Sequence, residues 1–117
     1  MTGSSHLVTP ESLLRRIASG DGPAVVDVRS GWEYARGHVP GAQHVPFWRY
    51  FLPRAPLPPA GGEPVVVYCG HGPRARIAAV LLRARGVPAS RLSGHMAGWR
   101  RAGGPEERAR PTSVPPV

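Results

Sequence analysis

The sequence predicts an α/β fold in which a parallel sheet is covered by helices on both faces. Two observations predict it. Short β-branched runs alternate with amphipathic stretches at the spacing of strand–helix–strand units, and glycine or proline marks the ends of these stretches, as at Gly20, Gly22, Gly37, Pro40 and Gly41. Size is a third: 117 residues fit one compact domain, and a domain of this length buries roughly two-thirds of the surface its unfolded chain exposes. A core is expected without staples.

The elements follow in order. "LVTPESLLRRIASGDG" opens on a short apolar pair, then offers Thr9 as N-cap, Pro10 at the first helical position and Leu13, Leu14 and Ile17 on one face. "PAVVDVRS" is a short buried strand by its β-branched content, and "GWEYARGH" a helical turn or two closed by Gly37. "GAQHVPF" is a third strand. "FLPRAPLPPAGGEP" packs five prolines and two glycines into fourteen residues, which forbids regular structure over most of it. "PVVVY" is the strongest strand, and by its hydrophobicity the central one. "RARIAAVLLRARG" is the strongest helix, with Ile77, Val80, Leu81 and Ala84 in register. "PASRLSG" gives a last strand and "HMAGWRRAGG" a last helix. The domain is expected to span residues 1–104, and residues 105–117, with almost nothing apolar to bury, are expected to form a disordered tail.

The net charge of +8 is carried by fifteen arginines and no lysine. Guanidinium groups stay charged at any working pH and bind oxyanions as a fork, so small anions or acidic partners are favoured. The arginines run from Arg15 to Arg110 without clustering, interleaved aromatics or a nucleic-acid motif, and nucleic acid is not an expected partner. No apolar run approaches the length of about eighteen residues that a membrane span needs, and "MTGSSHLVTP" lacks a secretory pattern. A cytoplasmic protein without membrane contact is expected. One cysteine excludes an internal disulfide and makes a cysteine-rich zinc site improbable; neither metal nor cofactor is expected.

That cysteine stands where the strongest strand stops, and parallel sheets place their ligand sites beyond the carboxyl ends of the strands. After Cys69 come Gly70, His71, Gly72, Pro73, Arg74 and Ala75, and then a helix. Glycines let the loop turn its N–H groups inward, and the helix N-terminus adds partial positive charge. The loop is an anion cradle around the sulfur, so Cys69 is expected to have a lowered pKa, helped by Arg74, and to be a nucleophile. The competing reading is a buried, inert thiol.

Three blocks resemble the single-domain rhodanese-like sulfurtransferases. "VVDVRSGWEYARGHVPGA" is similar to the family's D-V-R-x-x-x-E-Y-x-x-G-H-I-P-G-A, "YCGHGPRA" to its active-site loop C-x-x-G-x-R, and "LSGHMAGWRRAG" to its closing L-x-G-G-x-x-x-W-x-x-A-G. The resemblance covers most of residues 6 to 104. It implies a five-stranded parallel sheet flanked by helices and a cysteine that takes up a sulfane sulfur as a persulfide. The donor would be a small anion such as thiosulfate and the acceptor cyanide, a thiol, or the cysteine of a sulfur-accepting protein. The alternative within the same fold is a non-catalytic binding or redox-sensing module. Cell-cycle dual-specificity phosphatases share the fold with a loop one residue longer, whereas here Arg74 arrives one residue early and the cradle is sized for sulfur.

Departures from the pattern carry expectations of their own. Ala75 replaces a frequent Ser or Thr, and Pro73 removes one N–H from the cradle. His95 replaces the second glycine of the closing block and either tunes substrate choice at the pocket mouth or is solvent-exposed. By resemblance Arg29 and Glu33 pair to brace the loops, and Asp27 hydrogen-bonds backbone in a neighbouring loop. His71 is read as a lid or specificity element, Trp32 as lining the pocket or covering the core, His38 as structural, and Trp99 and Phe47 as core.

Overall fold

In the computed structural model, residues 7–58 and 63–108 are described. Ten elements follow one another: β1 (Leu7–Val8), α1 (Pro10–Ala18), β2 (Val25–Asp27), α2 (Gly31–Arg36), β3 (Gln43–His44), a 3-10 turn (Phe47–Phe51), β4 (Val65–Tyr68), α3 (Pro73–Ala84), β5 (Ala89–Leu92) and α4 (His95–Arg101). The five strands form one sheet in the order β1-β5-β4-β2-β3, and every pairing in it is parallel. The most hydrophobic strand, β4, is central as its composition requires, since a strand buried on both faces has no polar positions to spare.

Strand alternation divides the core in two. Val26, Val28, Val65, Val67 and Ala89 face α3 and the 3-10 turn, whose Tyr50 and Ala75–Leu82 stripe close that side. Val25, Val66, Tyr68 and Leu92 face Leu13 of α1 and Met96 and Trp99 of α4. Thr9 caps α1 by accepting from the Ser12 N–H, with Pro10 at its start. Ser30 and Glu33 close a reciprocal capping box on α2. Phe47 is only partly buried, packed against the α3-side core.

The structure corrects two expectations. First, α3 is turned relative to the expected register: Ala75, Ala78, Ala79 and Leu82 are buried, while Ile77 and Val80 are 39% and 56% exposed and Ala84 is exposed. Both sets repeat at helical spacing, so periodicity cannot choose between them. The loop chooses, because the turn that brings the Gly72 N–H onto Cys69 Sγ also fixes where α3 starts, and small alanines then let the helix lie close on the sheet.

Second, residues 105–108 do not stand apart from the domain. His38 and Glu107 exchange both backbone hydrogen bonds, each 2.9 Å, the Trp99 indole donates to the Pro105 carbonyl at 2.7 Å, and Arg100 pairs with Glu106. Gly104 makes the turn possible, since a Cβ there would collide with the Trp99 ring. The sequence signal was missed because the segment is held by polar contacts, which a search for apolar residues does not count. Residues 109–117 of the expected tail lie outside the described residues.

Candidate active site

Cys69 follows β4 at the carboxyl edge of the sheet and, by alternation, points to the α3 side. Its residue is wholly buried. Gly72, at a φ of 140° that only glycine adopts freely, turns the loop back so that its N–H donates to Cys69 Sγ at 3.0 Å. Pro73 then opens α3, where a missing N–H is harmless, and the Ala75 N–H in the first turn of α3 helps to favour the thiolate form. Below the loop, Nδ1 of His95 accepts the Cys69 backbone N–H at 3.3 Å. His95 is therefore buried under the loop, 6% exposed; it is not solvent-exposed.

Burial pushes the Cys69 thiol up, and hydrogen bonds from the His95 imidazole and from the Ala75 and Gly72 N–H groups outweigh it, bringing the pKa down from 9.0 to about 7. Hydrogen-bond donors around the sulfur suit an interior site, where an unpaired charge is costly. The shift couples folding to pH. A folded thiol titrating near 7, below its ordinary 9.0, stabilises the fold at alkaline pH, and this contribution is lost as pH falls through about 7. Unfolding free energy measured between pH 7 and 9 should rise more steeply with pH in the wild type than in Cys69→Ser, by up to about 1.4 kcal/mol per pH unit. Equal slopes would show that the cradle does not hold a thiolate.

Arg74 is not a free anion anchor. Its guanidinium engages both Glu33 oxygens, at 2.7 and 3.2 Å, at about one-third exposure of each side chain. The pair holds Glu33 down at about 2, chiefly through the hydrogen bond from Arg74. The expected Arg29–Glu33 brace is thus corrected: Glu33 belongs to Arg74, and Arg29 to Asp27, the two joined at 2.8 Å with 4% and 0% of their side chains exposed. A two-residue separation at the end of a strand lets the Asp27 carboxylate also accept the Arg29 N–H.

Around that buried pair a polar network ties three segments together. Tyr68 donates its hydroxyl to Asp27 at 2.8 Å and accepts the Val39 N–H at 3.0 Å, and Arg29 donates to the Gly37 carbonyl at 2.6 Å. Burial, with the Asp27 charge beside it, pushes the Tyr68 phenol up. Asp27 therefore bonds backbone at Arg29 rather than in a neighbouring loop. The network lies on the α1/α4 side of the sheet, away from the sulfur.

The remaining site candidates separate. His71 is exposed at the tip of the loop and Gly70 lies under the Arg74 guanidinium. Trp32 does not cover the core: it is 71% exposed and stacks under Arg36. His38 is buried, bonded to the Tyr34 carbonyl and stacked on the Tyr34 ring. Two contributors were missed from the sequence. The capping box was readable as Ser30-x-x-Glu33; Tyr68 carried only the general signal that a buried phenol needs a partner.

Residues 9–102 match the family described as rhodanese-like domain. The chain belongs to that family. This rhodanese-like domain is 35% identical over 106 residues to the HTH-type transcriptional regulator Rv0324 of Mycobacterium tuberculosis, a match covering 89% of this chain and 46% of the relative. It thus spans about half that relative's length. Among solved structures it is similar to a thiosulfate sulfurtransferase from Pseudomonas aeruginosa (29% identity, TM-score 0.68, covering 88% of this chain and 19% of that one). It is also similar to a protein of unknown function and possible tyrosine phosphatase from Rhodopseudomonas palustris (28% identity, TM-score 0.73, 89% and 86% covered). Among the described residues no helix is long and apolar enough to cross a membrane.

Proposed function

We propose that this rhodanese-like domain is a sulfurtransferase in which Cys69 carries a sulfane sulfur. The observation that carries this reading is the Gly72 N–H donating to Cys69 Sγ in a loop that closes with Arg74 four intervening residues on. The thiolate attacks the outer sulfur of thiosulfate; a Cys–S–S bond forms, the donor's S–S bond breaks, and sulfite leaves with the electron pair. The terminal persulfide sulfur is an anion, and in this reading the N–H groups of the loop after Cys69 are its donors. Cyanide then attacks that sulfur, thiocyanate departs and the thiolate returns. The 117 residues contain no second cysteine, so the sulfur leaves on an external acceptor, in the cytoplasm a small thiol or the cysteine of a partner protein.

The donor reaches the sulfur only when the loop opens, since Cys69 is fully covered, and Arg74 steers the anion only by releasing Glu33. Steady-state thiocyanate formation from thiosulfate and cyanide tests the reading; turnover lost in Cys69→Ser supports it, and turnover indistinguishable from solvent in the wild type rejects it. A second reading is favoured by two specific observations, the covered cysteine and the similarity to a transcriptional regulator: the same thiolate would act as a sensor, altered by sulfur or oxidant without being turned over. In that case Cys69 is modified stoichiometrically and no thiocyanate accumulates.

A further inference from the structure

The backbone is left-handed twice in succession where α4 begins, with φ of 75° at Gly94 and 55° at His95. Gly94 has no substitute, because a Cβ there would stand 2.9 Å from the Gly98 Cα. His95 has one: glycine adopts this backbone freely, whereas an L-residue is strained in it, and glycine is what the closing block of the resembled motif carries. A strained side chain kept where glycine fits points to a role for that side chain.

Its contacts say which. Nδ1 accepts the Cys69 N–H at 3.3 Å, and the neighbouring Met96 N–H donates to the Cys69 carbonyl at 2.9 Å. A ring nitrogen that accepts carries no proton, so the tautomer this contact selects has a proton on Nε2. That nitrogen faces the turn of the loop, 3.5 Å from where a Gly72 Cβ would be. One ring therefore bonds the strand end at Cys69 and stands behind the turn whose N–H bonds Sγ.

We propose that His95 is a positioning residue of the Cys69 site: its ring bonds the strand end and backs the turn, and so keeps the Gly72 N–H on the sulfur, a support that the glycine of the resembled motif cannot give. The inference deepens the sulfur-carrier reading and rests on it for its purpose. It is supported by the lowered Cys69 pKa, in which the His95 bond is the largest favourable contribution. The other groups facing Cys69 are the Gly72 and Ala75 N–H groups and the Arg74 guanidinium from the start of α3. Arg74 is bound to Glu33 of α2, and the charges of Asp27 and Arg29 are satisfied by each other.

The test is the pH dependence of Cys69 alkylation by iodoacetamide, read by intact mass, in the wild type, His95→Gly and His95→Asn. The wild type should alkylate with a midpoint of about 7. His95→Gly should move the midpoint up by about one pH unit, lowering the rate at neutral pH about fivefold. His95→Asn tolerates left-handed backbone and keeps an acceptor for the Cys69 N–H but lacks the distal ring nitrogen, so its midpoint should rise too while its melting temperature stays nearer the wild type. A folded variant that keeps the midpoint of about 7 overturns the proposal. Nitrogen-15 NMR of the unmodified protein keeps the claim falsifiable without a variant: the His95 proton must reside on Nε2, and a proton on Nδ1 would contradict it. Alkylation needs no sulfur donor, so a wild type that alkylates as expected yet takes no sulfur from thiosulfate would count against sulfur transfer alone.

Discussion

Asp27→Ala should lower the stability of the fold by about 3–5 kcal/mol, a shift in melting temperature of roughly 10 to 20 °C for a domain of this size. The change strips the Arg29 guanidinium, 4% exposed, of its carboxylate and leaves the Tyr68 hydroxyl without its acceptor. An uncompensated buried charge is the expensive product, more than the lost attraction itself. The contrast that isolates this cause is Asp27→Leu combined with Arg29→Met, which removes both charges and should recover much of the loss. Thermal unfolding followed by circular dichroism reads both variants. A single variant within about 1 kcal/mol of wild type would show that water reaches Arg29 and that the network does not hold the sheet to the segment around Gly37 and Val39.

Arg74→Ala should raise the KM for thiosulfate about ten- to a hundredfold, the worth of a charge-assisted hydrogen bond or two of about 1.5–3 kcal/mol. Glu33→Gln should act in the opposite direction on the same constant. Glu33 occupies the guanidinium with both oxygens, and a donor anion has to compete with it; the amide competes less well. Glu33 also caps α2 by accepting the Ser30 N–H at 3.0 Å, a bond the glutamine side chain can keep. Steady-state kinetics that split KM from kcat decide the matter. If both variants leave KM unchanged, the anion does not bind at Arg74, and the pair is a structural tie between α2 and the loop.

Legibility differed by the kind of interaction. The strands, their alternation with helices and the placement of Cys69 at the carboxyl edge of the central strand follow from hydrophobic pattern and turn residues, which are local signals. The phase of α3 did not, because Ala75, Ala78, Ala79 and Leu82 compete with an equally periodic and more hydrophobic set, and the loop at Cys69 decides between them. Ion-pair partners were read wrongly for a related reason. Arg29 is two residues from Asp27 and four from Glu33, and only the fold shows that Glu33, on α2, turns towards Arg74, 41 residues on, instead of back to the strand. The position of His95 was the least legible: a departure from a motif announces that something differs, but whether the ring faces water or lies buried against the Cys69 backbone depends on the two left-handed residues that open α4.

Intact-mass spectrometry of the protein after incubation with thiosulfate, beside a Cys69→Ser control, tests the central claim most directly. A persulfide on Cys69 adds one sulfur atom, about 32 Da, to the wild type alone, and cyanide removes it with release of thiocyanate. No mass gain in the wild type, under conditions where the thiol alkylates at neutral pH, would contradict the assignment of Cys69 as a sulfur carrier.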